Sequence, residues 1–304
     1  MVVLDGEKGA PLPNHLNNKP MKDYSNYGAA YKGFQVEDNV YVPQPMEDFP
    51  AHNPHQMMIK VRGHVRELVF DDSYPYLDKS LRFRLNRFFV YAVVRPLTFI
   101  INRVYYGLHI EGRSNLRKNN HLFRNGAMTI CNHIGRWDMI SVLQATLRTF
   151  WIPMYRQSFM GKDGYLMKHV GGIPVPEDRG GLRRFNEAFD ELHERKAWIH
   201  IFPESCSWKY YSPIRPFKIG AFNMAYRYNL PIIPCVISFR ERKGFFRIFR
   251  TKEPLMTIHI GEPILPDTSR PRKEEAARLR ELCHTSMVKM AGIVHNTWPA
   301  AIEE

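Results

Sequence analysis

Apolar and polar positions change their period along this chain. Residues 1–53 show little apolar periodicity and are rich in Asn, Pro, Gly and Tyr. They predict a polar N-terminal tail over 1–56, extended or disordered and able to pack along the surface. Residues 57–79 mix charge with scattered apolar positions and favour no element. Residues 81–108, LRFRLNRFFVYAVVRPLTFIINRVYYGL, are the most apolar and aromatic stretch. Arg95 and Pro96 split it, and Asn102 with Arg103 interrupt it again. No run therefore reaches the eighteen or so clean apolar residues that a membrane span needs. Two short amphipathic helices lying in a membrane interface fit the pattern, with arginines reaching the headgroups. A pair of buried core helices is the other reading. We assign 57–108 to a membrane-interfacial helical segment.

From residue 109 onward strand and helix patterns alternate. Strands are predicted at 108–111, 127–132, 150–155, 173–175, 198–202 and 232–239. Residues 245–250 and 255–260 read as a hairpin. Helices are predicted at 137–147, 159–170, 182–196, 217–228 and 274–291; Phe185, Ala188, Phe189 and Leu192 repeat at helical spacing. The alternation predicts an α/β fold, a layered mixed sheet flanked by helices over 109–304, preceded by the interfacial segment.

Charge narrows the partners. Lys and Arg number 43 against 30 Asp and Glu, so the surface seeks anions. No nucleic-acid-binding signature accompanies the charge, so membrane lipids are expected as partners and nucleic acid is not. Cys131, Cys206, Cys235 and Cys283 lack a C-x-x-C spacing, and no secretory signal is expected; they read as buried reduced thiols.

The chemistry concentrates at Asn132-His133-Ile134-Gly135-Arg136-Trp137-Asp138, after an apolar strand. Histidine titrates nearest neutrality, and a carboxylate on its far nitrogen fixes the tautomer. On one continuous helix, positions five apart point away from each other. They meet if His133 lies in the turn and Asp138 opens the next helix. Otherwise His133 is an ordinary loop histidine. The helix amides just after His133 would then serve as oxyanion donors. Neither Cys nor further His stands at ligand spacing, so no metal is expected.

Three more blocks follow in order: GGIPVPEDRG at 171–180, IFPESCSW at 201–208 and LPIIPCVIS at 230–238, with PFKIGA at 216–221. With NHIGRWD, they resemble the glycerolipid acyltransferase family, which carries N-H-x-x-x-x-D, a G-x-I-P block closing on arginine, F-P-E-G-T-R and a proline-opened strand. The resemblance covers about residues 105–265 and implies a fatty acyl group moved from acyl-CoA or acyl carrier protein to a lysophospholipid, by default 1-acylglycerol-3-phosphate. It implies no cofactor. His133 and Asp138 would be the catalytic pair, and Arg179 a phosphate contact beside Gly172 and the Gly180-Gly181 pair. A solvated turn arginine is the other reading of Arg179. Glu204 would hold the acceptor or the loop around it. The family's glycine, threonine and arginine are replaced by Ser205, Cys206 and Ser207, so Lys209, Arg215 or Lys218 would supply the missing charge. The expected location is peripheral or monotopic, on the cytoplasmic face of a membrane. An acceptor other than 1-acylglycerol-3-phosphate, an amino-alcohol among them, and a non-catalytic lipid-binding subunit are the alternatives.

Overall fold

The computed structural model describes residues 20–58 and 68–298. Its elements in chain order are β1 (Met21–Asp23), β2 (Phe34–Glu37), α1 (Leu81–Val104), β3 (His109–Glu111), α2 (Arg113–Lys118), β4 (Met128–Cys131), α3 (Asp138–Thr146), β5 (Phe150–Met154), α4 (Gln157–Met160), α5 (Gly164–His169), β6 (Gly172–Pro174), α6 (Arg179–Glu194), β7 (Trp198–Ile201), α7 (Gly220–Arg227), β8 (Ile232–Arg240), β9 (Leu255–Ile260), α8 (Arg272–Met290) and β10 (Ile293–Asn296). Seven strands form a mixed sheet in the order β3-β9-β8-β4-β7-β5-β6. Neighbours run parallel except β8 with β9. This is the layered α/β fold expected from the alternation.

The central strands are mostly apolar and buried along their length because both faces of the sheet are covered. Phe189, Phe222 and Leu279 from α6, α7 and α8 share one core cluster with Ile130 and Ile199. Val142 and Ala145 of α3 share the other with Cys131 and Phe150. Asp178 caps α6 by accepting the Gly181 amide at 2.8 Å, which ends the preceding loop and starts the helix. Because β4 to β8 point one way, the loops after β4, β5, β6 and β7 open at the same edge. Asn132 extends β4 by side chain. Its amide donates to the Ile237 carbonyl at 3.0 Å and accepts the Ile237 N–H at 2.8 Å.

Four expectations are corrected. The described part of 1–56 is more than a tail packed along the surface: Tyr31, Phe34, Val36, Val42 and Phe49 are buried in the core, and β1 and β2 join β10 in a three-stranded sheet. Residues 1–19 and 59–67 lie outside the described residues. The segment 81–108 holds one helix, α1, which runs through Pro96. The residues read as interruptions anchor it. Asn102 is buried and donates to Gln144 at 3.2 Å, Arg95 reaches the Leu147 carbonyl, and Tyr91 donates to the Val170 carbonyl at 2.8 Å. Tertiary contacts on both sides of the proline outweigh its local cost. The opposite face of α1 remains exposed, with Leu85, Phe88, Phe89, Val93, Leu97 and Ile100 forming one stripe at helical spacing. This excludes buried core helices. Among the described residues no helix is long and apolar enough to cross a membrane. The helix expected at 159–170 is broken into α4 and α5, and 245–250 is a 3-10 turn between β8 and β9 instead of a strand.

Asn132→Ala would leave the Ile237 N–H and carbonyl buried without these partners. Each such loss costs about 1–3 kcal/mol. A drop of about 2–6 kcal/mol in unfolding free energy is expected from urea denaturation; a drop under about half a kcal/mol would show that water replaces the bonds.

Candidate active site

His133 lies two residues beyond β4, and Asp138 is the first residue of α3. Their side chains meet: His133 Nδ1 and Asp138 Oδ2 are 2.9 Å apart. The same oxygen accepts the amides of Ile134 at 2.6 Å and Gly135 at 2.8 Å. The turn thus wraps the carboxylate, and the spacing of five works because the chain is not helical until Asp138. Burial pushes the Asp138 carboxyl above its ordinary value, while the hydrogen bonds from His133, Gly135 and Ile134 oppose that shift. An ionised Asp138 sets Nδ1 as the protonated nitrogen. Nε2 has no protein partner among the described residues, and the His133 side chain is 24% exposed. A base with one nitrogen tied and one open can take a hydroxyl proton.

The two amides after His133 are spent on Asp138, so the expected oxyanion donors are corrected. Under the imidazole lies Phe202, with centroids 4.0 Å apart and planes 10° apart. Phe202 meets His200 edge-on at 4.4 Å. His200 is fully buried beside the Thr129 hydroxyl at 2.8 Å, and burial pushes its pKa down to about 3.

Glu204 is buried and faces inward. Its Oε2 accepts the His133 amide at 2.9 Å and Arg215 Nη2 at 2.7 Å; its Oε1 accepts the Arg215 amide at 2.9 Å. Arg215 is fully buried and also donates to the Pro54 carbonyl at 2.8 Å and the Cys206 carbonyl. Trp208 lies under the guanidinium at 4.4 Å and donates its indole N–H to the Gln56 carbonyl at 2.8 Å. Glu204 therefore ties these loops together. Arg215 is corrected: with no exposed surface it cannot reach a headgroup, because Glu204 and the 54–56 strap consume it. Cys206 is likewise buried beneath the strap, its thiol against the Gln56 carbonyl.

The remaining expected residues lie apart. Lys209 is half-exposed, paired with Glu253 at 3.1 Å, and adjoins the base loop because Tyr210 donates its amide to the Ile134 carbonyl. Arg179 is exposed at the start of α6, without a side-chain partner among the described residues. It opens at the same sheet edge as His133 but three strand spacings away, roughly 14 Å. The glycines beside it are no empty cradle. A Cβ on Gly181 would meet the Phe70 carbonyl at 2.4 Å and the Tyr76 hydroxyl at 2.6 Å, and one on Gly180 would meet Asp72. The chain's own 70–76 segment fills that space. Gly172 is also corrected: it is buried at the start of β6, away from the site edge, packed where a Cβ would meet the Met167 carbonyl at 2.6 Å. The sequence reading missed two cations on the site edge. Arg136 belongs to the base loop and pairs with Asp163 at 3.1 Å; Arg156, just after β5, pairs with Glu177 at 2.8 Å. Position at the end of a parallel strand was the available signal for Arg156. Among the described residues no group of three or more His, Cys, Asp or Glu is placed to hold a metal ion.

A strand-end histidine oriented by a buried aspartate, at the open edge of an α/β sheet, is the site of a general-base transferase or hydrolase. Residues 107–238 match the model of the Acyltransferase family. The chain is 25% identical over 195 residues to the 1-acyl-sn-glycerol-3-phosphate acyltransferase of Escherichia coli, covering 60% of this chain and 72% of that one. The enzyme of the same name from Salmonella typhimurium matches to the same extent. The crystal structure of the 1-acyl-sn-glycerophosphate (LPA) acyltransferase PlsC from Thermotoga maritima superposes with a TM-score of 0.47 at 15% identity, over 71% of this chain and 84% of that one. Residues 107–238 thus carry the Acyltransferase-family match, and the chain is similar to 1-acyl-sn-glycerol-3-phosphate acyltransferases.

Two carboxylates at this site are expected to fail differently. Asp138→Asn should keep the fold and lower kcat about a hundredfold or more, because the amide no longer orients a protonated Nδ1. Glu204→Gln should lower thermal stability as well, by about 3–5 kcal/mol, because it leaves the Arg215 guanidinium buried without a counter-charge. Turnover and calorimetry of both variants check this; a Glu204→Gln protein as stable as wild type sinks it.

His200 yields a pH expectation. Its folded pKa lies below the unfolded value near 6.5, so the unfolded chain binds the extra proton. This contribution to stability is full above pH 6.5 and is lost as pH falls toward about 3. Between pH 7 and 5 the loss is about 2 kcal/mol. His200→Leu should lose correspondingly less stability over that interval in parallel urea titrations; equal losses would rule His200 out as the source.

Proposed function

We propose that this acyltransferase moves a fatty acyl group from acyl-CoA or acyl carrier protein to the free hydroxyl of a lysophospholipid, with 1-acylglycerol-3-phosphate the default acceptor. The open Nε2 of His133, tied through Nδ1 to Asp138, carries the reading, and the relatives' names supply the acceptor. His133 Nε2 takes the hydroxyl proton as the oxygen attacks the thioester carbonyl. The carbon–oxygen bond forms, the carbon–sulfur bond breaks, and the imidazolium returns its proton to the leaving thiolate. Asp138 stabilises the imidazolium meanwhile. Arg136, Arg156, Arg179 and Lys209 offer positive charge along the same edge to an anionic acceptor. The exposed apolar face of α1 would lie in the membrane interface that holds the lysolipid, on the cytoplasmic side where the thioester donors occur.

A second acceptor class is favoured by particular observations. The family arginine after Glu204 is absent, Arg215 is buried, and the space at Gly180 and Gly181 is filled by the 70–76 segment beside Asp72. A lysolipid with a smaller anionic demand suits that arrangement. Purified chain with labelled acyl donor and a panel of lysolipids decides. Acylation of 1-acylglycerol-3-phosphate that disappears in His133→Ala is expected. Arg179→Ala should raise the apparent KM for that acceptor about tenfold and leave the donor's unchanged, as loss of one charged contact does. Transfer to another lysolipid alone selects the second reading, and transfer to none of them overturns both.

A further inference from the structure

The turn between β8 and β9 is unused by the chemistry above. Gly244–Phe249 form a 3-10 helix, in which residues three apart fall on one side. Phe245 and Ile248 share the outer side and are 63% and 60% exposed. Phe246 and Phe249 share the inner side. A Cβ on Gly107 would meet the Phe246 ring at 2.9 Å, and the Phe249 ring lies 5.2 Å from Tyr105. Arg242 fastens the turn by donating to the Glu253 carbonyl at 3.0 Å and the Phe246 carbonyl at 3.3 Å. The two apolar side chains are therefore held outward by a braced turn.

Charge surrounds them. Residues 240–252 hold six basic side chains and one acidic one, Glu241, which pairs with Lys243 at 2.7 Å. Arg247 and Arg250 are exposed and have no side-chain partner among the described residues. The turn is also placed beside the other exposed apolar surface and the site. Tyr105 directly follows α1, and the Tyr106 ring lies 5.2 Å from Trp137 in the base loop. β8 is parallel to β4 and continues five residues past the Cys131–Cys235 pairing, so its turn rises at the edge that carries His133.

We propose that the β8–β9 turn is a second membrane contact, in which Phe245 and Ile248 enter the headgroup region of an anionic bilayer and Arg247 and Arg250 meet lipid phosphates. The proposal rests on the reading of α1 as lipid-facing. Outward apolar side chains ringed by unpaired arginines match an anionic lipid surface in both respects, and their continuity with the α1 face favours a bilayer over an acidic protein. Contacts at α1 and at the turn would fix the chain's rotation on the membrane. The base loop between them would then face the lipid, and the acceptor would reach His133 without crossing water.

The test uses the full chain with an environment-sensitive dye on Phe245→Cys or on Phe89→Cys of α1; the four native cysteines are all buried. Vesicles are phosphatidylcholine alone or with one part in four phosphatidylglycerol. Both dyes should blue-shift on the anionic vesicles. An Arg247→Gln, Arg250→Gln double variant should bind them at least about tenfold more weakly than wild type, while binding to neutral vesicles is unchanged. A shift at residue 89 with none at 245 overturns the proposal and leaves the α1 reading standing. No flotation of the wild type with either vesicle overturns both. A shift at 245 with an acidic acyl carrier protein, and none with vesicles, makes the turn a protein-docking surface and also overturns the proposal.

Discussion

The site depends on the buried ion pair between Glu204 and Arg215. His133 lies past the last rung of β4, where the sheet no longer pairs its backbone, and a buried amide left unpaired is costly. Glu204 supplies that partner, accepting His133 N–H while it holds the Arg215 amide and guanidinium. The Arg215 guanidinium in turn gathers the carbonyls of Pro54 and Cys206. Three stretches far apart in sequence, the 54–56 strap, the base loop and the 204–215 loop, are thereby closed into one unit. Breaking one side of such a pair leaves a bare charge in a dry place, which costs more than the pair itself contributes. Positioning of His133 and stability of the fold are coupled through these few bonds.

Asp138 shows a related constraint. A buried carboxylate stays ionised only if donors surround it, and here the donors are the imidazole it orients and two amides of the same turn. Those amides rigidify the turn and hold His133 in one tautomer. They are then lost to the reaction. On the proposed mechanism, charge developing on the acyl donor's carbonyl oxygen would have to be met by groups other than the Ile134 and Gly135 amides, so the oxyanion site and His133 would be built from different parts of the fold.

The sheet was legible in the sequence because its central strands are predominantly apolar runs bounded by Gly and Pro, a pattern set by burial on both faces. The His133–Asp138 pair was legible because a spacing of five fails on a helix and works across a helix start. Arg215 was not. Eleven residues past Glu204, it reads as a surface cation, and its burial depends on the strap about 160 positions earlier. The N-terminal aromatics escaped for a different reason. β1 and β2 are three and four residues long, too short to show a period, yet Tyr31 and Phe49 pack on Tyr211 and Trp208. In the 171–181 block, a glycine pair fits a close approach equally well whether the visitor is an anion or the chain's own backbone. Here the Phe70 carbonyl is the visitor.

The same ambiguity governed α1, where polar residues looked like breaks and are anchors. Asn102 and Arg95 face the protein, and that leaves the other face free of everything but apolar side chains along its middle. Magnitudes indicate what such a face does. Full burial of a Leu or Phe side chain is worth about 1.5–3 kcal/mol, and roughly half of each is already covered, so about 1 kcal/mol remains for each of the six in the stripe. A sum near 6 kcal/mol falls within the range that association costs in lost freedom, about 4–15 kcal/mol. On the proposed membrane reading, one exposed helix face would therefore give at most reversible contact and no permanent anchoring. On that reading the exposed Arg82 and Arg84 of α1 would add attraction that salt weakens. A chain that acts on lipid through such a face gains residence from any second contact, and a second contact with a fixed geometry also determines which edge of the sheet meets the membrane.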